Sequence, residues 1–153
     1  MKGTWGVTKK ISEKELLGVA TAPLQQRYKY FISTAIQNFE VWGLKSEEGW
    51  KLYLDEEKNQ AYEAFWPREE FVYACEAKDS AFKAFRIDLA KFLHVWLPDI
   101  EKKGRLVAVF PNLSKNSAVI SPSHLKEDIK HHLSLADYKL EVNAAGEPEI
   151  VEM

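Results

Sequence analysis

Apolar residues recur at three- and four-residue spacing in three stretches of the chain and at two-residue spacing in several shorter ones, and the change of period predicts the elements. Leu24, Tyr28, Phe31, Ile32, Ala35, Ile36 and Phe39 form a wide stripe on a long helix whose first turn suits Pro23. Leu89, Phe92, Leu93, Trp96, Leu97 and Ile100 form a second stripe, which Asp88 caps, Pro98 tightens or kinks and Gly104 closes. Leu125, Ile129 and Leu133 mark a third, opened by Ser121 and Pro122. A short helix is expected from Ser12 as N-cap, with Glu15 three residues on and Gly18 ending it early. Another is expected after Pro67, with Phe71, Val72 and Cys75 on one side.

From Glu40 the period becomes two. Residues 41–44 and 49–54, separated by Lys45, Ser46, Glu47 and Glu48, read as a hairpin with a turn of about four residues. A strand over 61–66 follows the charged turn 55–59 and completes an antiparallel meander that Pro67 stops. A further strand is expected near 81–87. The unbroken apolar run from Leu106 to Phe110 is that of a strand covered on both faces or lying at the centre of the sheet, and it is the candidate central strand. Ala118, Val119 and Ile120 return beside it after a turn from Pro111 to Asn116. For the tail from Lys139, a hairpin about 143–146 and a loose solvated end are both consistent with its glutamates.

The pattern therefore predicts an α+β fold: an antiparallel-rich sheet of about five to six strands with three main helices packed mostly on one face. A single domain with a core over 24–135 carries an N-terminal extension over 1–22 and a C-terminal extension over 137–153.

The 153 residues suit one core, burying roughly 70% of the unfolded chain's surface. A hydrophobic fraction of 46% with 12% aromatics excludes global disorder. The 21 basic and 23 acidic residues give a net charge of -2, without the positive field that tracks a phosphate backbone, so nucleic acid is not an expected partner. Cys75 is the single cysteine, which precludes an intrachain disulfide and a thiolate metal cluster and suits a reducing compartment. The N-terminal stretch lacks the unbroken apolar core of a signal peptide. No segment approaches the ~20 apolar residues that span a bilayer. The expected location is the cytoplasm, with no membrane partner.

The segments RYKYFI, VWGL followed by EEGWKLYLDEE, AFWPREEFVYAC, DLAKFLHVWLPDIEKKG and LVAVFPN, in this order, resemble the bacterial domain-of-unknown-function family 2750. The resemblance runs from about Gln25 to Leu133, with Trp42, Gly49, Trp50, Trp66, Pro67, Trp96, Leu97, Pro98, Gly104, Val109, Phe110 and Pro111 as landmarks. Where that family usually shows a Leu-Pro-Val-Trp-Pro type stretch, this chain has Glu63, Ala64, Phe65, Trp66 and Pro67. The resemblance implies a bacterial, intracellular α+β domain and transfers no reaction, cofactor or catalytic residue. Taken without any family, the same landmarks are turn formers and large core aromatics.

His124, Asp128, His131 and His132 fall on neighbouring parts of one helix surface, where imidazoles could share a divalent metal; a solvated polar face explains the same spacing. His94 lies beside its helix's stripe as a boundary or core histidine. Cys75 reads as inert packing. Ser114, Ser117 and Ser121 sit in no nucleophile elbow, and the seven glycines build no phosphate-cradling loop. Glu47, Glu48, Asp55, Glu56, Glu57, Glu69 and Glu70 stand on turns or at a helix start, where solvation alone favours them. General acid-base work is one use for them. The other is an acidic rim about Trp42, Trp50, Tyr53, Tyr62 and Trp66, the anchor-and-rim arrangement of a protein-binding surface.

The function expected is thus a non-catalytic protein-binding module of the bacterial cytosol, of the kind that neutralises a toxic effector as an immunity protein, with another protein as partner and no cofactor. The alternative is a small metal-assisted hydrolase using the C-terminal histidine helix. A self-associating homo-oligomer is the third reading.

Overall fold

The computed structural model describes residues 10–76, 81–112, 114 and 116–153. The polar lead 1–9, residues 77–80 beyond the short helix expected after Pro67, and two positions of the 111–116 turn lie outside the described residues. The Ser12 hydroxyl accepts from Glu15 N at 3.1 Å and opens α1 (Glu13–Ala20). Gly18 does not end it early. A mid-helix glycine costs only about 1 kcal/mol, and Leu16, Val19 and Ala20 pack against the core. After Pro23, α2 (Leu24–Asn38) buries Arg27, Phe31, Ile32, Thr34 and Ala35, and ends where Phe39 turns left-handed at φ 55°.

β1 (Glu40–Ser46) and β2 (Gly49–Trp50) form the hairpin, but Lys45 and Ser46 still pair with Trp50 and Gly49, so the turn is Glu47 and Glu48 alone. Gly49, at φ 125°, takes the backbone conformation that a side chain would resist. The alternating run then breaks at Lys51. β3 (Leu52–Asp55) leaves β1 and pairs antiparallel with β4 (Gln60–Phe65). α3 (Glu69–Cys75) starts after Arg68 and buries Phe71, Val72 and Cys75. β5 (Lys83–Asp88) returns antiparallel along β1.

The Asp88 carboxylate accepts from Lys91 N at 3.2 Å and starts α4 (Leu89–Lys91), which runs without interruption into a π-helical stretch (Phe92–Trp96) and α5 (Leu97–Lys102). Pro98 has no N–H to return to the carbonyl of residue 94, and the ladder widens just before it. A π stretch turns less per residue than an α-helix, so Trp96, in mid-stripe by α-helical spacing, is only half-buried, while Leu97 is buried. Gly104, at φ 70°, closes the run: its N–H reaches Glu101 O at 3.0 Å and that of Arg105 reaches Ile100 O at 3.2 Å. β6 (Leu106–Val109), β7 (Ala118–Ile120), α6 (Pro122–Leu135), β8 (Tyr138–Val142) and β9 (Pro148–Glu152) follow. Leu125, Ile129 and Leu133 of α6 are buried as predicted, and the tail is a hairpin.

The class is α+β, but the sheet arrangement differs from the prediction. Among the described residues nine strands form three sheets, ordered β2-β1-β5, β3-β4-β6-β7 and β8-β9, beside five helices when the continuous run of α4, the π-helical stretch and α5 is counted as one. The second sheet is mixed, because β4 runs parallel to β6 across the long crossover through α3, β5 and residues 89–102. β6 is an interior strand of that sheet. Glu63, Ala64 and Phe65 on β4, and Val107, Ala108 and Val109 on β6, are buried in succession, so cover lies on both faces of the sheet and not mostly on one.

The first two sheets meet at one residue pair. Trp42 and Trp66 exchange two backbone hydrogen bonds of 2.8 Å each. Trp66 is wholly buried, and its indole N–H donates to Pro111 O at 3.0 Å. A second tie comes from Arg27, also buried: its Nε donates to Ala22 O at 3.1 Å, one terminal nitrogen to Phe110 O and to Asn116 O at 2.9 Å, and the other to Asn116 Oδ1 at 2.7 Å. Each of these bonds ends on a neutral carbonyl oxygen, and burial draws the guanidinium below its ordinary pKa.

Trp66→Ala is expected to cost about 3–5 kcal/mol in urea unfolding. Trp66→Phe, which keeps a ring but strands the Pro111 carbonyl, is expected to cost about 1–3 kcal/mol. A Trp66→Phe chain as stable as the native one would show that the indole N–H adds nothing.

Candidate functional site

The first turns of α2, the strand β7 and the first turns of α6 come from distant parts of the sequence and enclose an open groove of about 630 Å³. Leu24, Tyr28 and Lys29 occupy one side of α2, and His124 and Asp128 stand one turn apart on α6. From β7 and its end the lining residues are consecutive, 118 through 121. Successive strand residues point to opposite faces, so what β7 presents to the groove is its edge. β7 is the last strand of its sheet, and β6 satisfies only one side of its backbone. Val119 is half exposed.

The polar end of the groove is built on Asp128. Tyr28 Oη donates to Asp128 Oδ2 at 2.5 Å, while His124 Nε2 lies 3.8 Å from Oδ1. Ser121 fixes this end of α6, its hydroxyl accepting from His124 N at 3.2 Å. Burial, with the hydrogen bond to the Asp128 carboxylate, pushes the Tyr28 hydroxyl well above its ordinary range. Tyr28 therefore acts as a fixed donor. It orients a carboxylate that leaves its other oxygen toward His124.

The predicted metal positions do not converge. His124 and Asp128 are neighbours, but His132 Nδ1 lies 2.9 Å from the backbone carbonyl of Asp128, and the His131 ring packs edge-on against His132 at 5.6 Å. Among the described residues no group of three His, Cys, Asp or Glu could hold a metal ion. His94 is exposed on the π-helical stretch and not a boundary or core histidine, since it falls opposite the buried stripe. Cys75 is buried in the core.

The predicted aromatic and acidic positions divide among separate places. Trp66 is wholly buried by the sheet junction and offers no contact surface. Trp42 donates its indole N–H to Glu40 Oε2 at 2.8 Å, and Arg86 Nε reaches Glu40 Oε1 at 2.6 Å. Trp50 stands edge-on to Phe85 at 5.2 Å and to Trp96 at 4.5 Å. It lies over Gly43, where an added Cβ would come within 2.8 Å of the Trp50 ring. Glu47 and Glu48 are exposed on the adjoining turn and line a cleft of about 850 Å³. Tyr53 and Tyr62 pair across β3 and β4 with both rings half-buried, and Asp55 and Glu56 lie at the far end of β3. Sequence reasoning missed Val119 and the Tyr28 hydroxyl. The one available signal was a tyrosine within the apolar stripe of α2.

A family model described as protein of unknown function (DUF2750) matches residues 28–129. No curated protein and no solved structure matches the chain. The matched span takes in Tyr28, β7, His124 and Asp128, and leaves out α1 and the β8–β9 hairpin. Among the described residues no helix is long and apolar enough to cross a membrane.

Tyr28 sets a pH dependence. With its folded pKa above the ordinary 10.0, the folded chain keeps a proton that the unfolded chain releases. The resulting stability is complete below about pH 10 and is lost as pH rises beyond it. Tyr28→Phe is expected to flatten the fall in unfolding midpoint above that pH, read by urea titration at successive pH values. An unchanged slope would assign the alkaline loss to other groups.

Proposed function

We propose that this chain, which belongs to the DUF2750 family of proteins of unknown function, is a protein-binding module that takes an extended segment of its partner along the free edge of β7. The observation that carries the reading is the run of consecutive lining residues 118–121, which turns a strand edge into one wall of an open groove. A segment added there continues the order β3-β4-β6-β7 by one strand. Its backbone bonds to β7 supply affinity, and its alternate side chains enter the groove and supply selectivity.

Leu24 and Val119 offer apolar contact, and Asp128, oriented by Tyr28, offers an acceptor at one end. Recognition of this kind needs no nucleophile or general base. Tyr28 held protonated is suited to fixing a carboxylate and unsuited to removing a proton.

Random peptides displayed on phage and selected on the immobilised chain test this. Enriched peptides are expected to alternate apolar and polar residues and to shift the amide resonances of Ala118, Val119, Ile120 and Tyr28. Val119→Lys, at an exposed position, is expected to abolish their binding with the far-ultraviolet circular dichroism unchanged. Selected peptides that perturb only other surfaces would refute the reading.

A further inference from the structure

We propose that two copies of the chain associate edge to edge through β3, antiparallel and in a register centred on Tyr53. β3 ends the four-stranded sheet, at the opposite side from β7, and β2 just before it ends the three-stranded one. The stretch from Gly49 to Asp55 thus presents an edge that no described strand covers. Native edges are usually protected by inward charge, proline or a bulge. Here the outward positions are Leu52, 44% exposed, and Leu54, 63% exposed.

The sequence of this edge is complementary to itself. When it is read antiparallel about Tyr53, Leu52 of one copy faces Leu54 of the other, Lys51 faces Asp55, and Tyr53 faces its own counterpart. Side chains alternate across the strand, so Leu52 and Leu54 of both copies gather as four leucines on one side, while two lysine–aspartate pairs form on the other. A register moved two residues, to centre on Leu54, sets Leu52 against Glu56 and Tyr53 against Asp55. Such cross-strand pairs decide which register is stable.

A foreign strand would need to match this pattern by chance, whereas a second copy carries it. Lys51 Nζ lies 3.7 Å from Glu76 and 4.7 Å from the centre of the Phe82 ring, which holds it on the side opposite the leucines. Pairing joins two four-stranded sheets through their β3 edges and leaves each β7 groove at an outer end. The four residues of β3 bury less than the roughly 800 Å² per partner of a standard interface, so association depends on concentration.

Sedimentation velocity of the full chain over a wide concentration range provides the first measurement. The mass is expected to rise from 17.6 kDa toward twice that value, and Leu54→Lys, a surface change, is expected to hold it at the monomer with circular dichroism unaltered. A mixture of Leu52→Cys and Leu54→Cys chains is expected to form intermolecular disulfides several-fold faster than either chain alone. The native Cys75 is buried and does not compete. A monomer at every concentration, a Leu54→Lys chain that dimerises like the native one, or a mixture that cross-links no faster than its components would each overturn the proposal.

Discussion

Two strands that belong to different sheets touch at one point, and the fold is arranged about that contact. β1 leaves the 49–55 strand above Leu44, whose carbonyl still accepts from Lys51 N at 2.9 Å, and β4 leaves it beyond Glu63. The diverging ends would expose buried backbone groups to no partner. They meet each other instead, through the reciprocal bonds of Trp42 and Trp66. The Trp66 indole fills the space behind the contact and reaches Pro111, so the loop after β6 is tied to the same point. Because the 49–55 stretch spends its inner edge first on β1 and then on β4, its outer edge has no partner strand among the described residues.

The four-stranded sheet consequently has two open edges of different character. The β7 edge is recessed, walled by α2 and α6, and ends in an oriented carboxylate. The β3 edge stands proud, with leucines outward. A recessed edge selects for a slim extended segment, while a projecting edge with self-matching residues suits a copy of itself. The two associations proposed above would not compete, because their strands lie at opposite ends of the sheet's order.

Much of the chain was legible from period and punctuation. The α6 stripe, the Asp88 and Ser12 caps, the Gly104 stop and the interior position of β6 follow from local rules that tertiary contacts reinforce. The break at Lys51 was not legible, since alternation states which way side chains point and is silent on which neighbour a strand has chosen. For the same reason Trp66 and Trp50 looked alike in the sequence, although one is at the junction and the other near the rim. The rotation of Trp96 out of the stripe depended on a widened helical turn that period counting cannot register. The groove was hidden because it joins Tyr28 to residues about a hundred positions away, and a tyrosine in an apolar stripe announces its ring and not its hydroxyl.

Arg27 holds the α2 entry to the strand-to-strand connection that precedes β7. Its partners are carbonyl dipoles, which neither gain nor lose protons, and its own charge persists across the biological range even when burial weakens it. The clasp is enclosed, so dissolved ions cannot reach between its parts to weaken it. The frame that fixes the width of the groove between α2, β7 and α6 therefore stays set through acidification or a change of ionic strength.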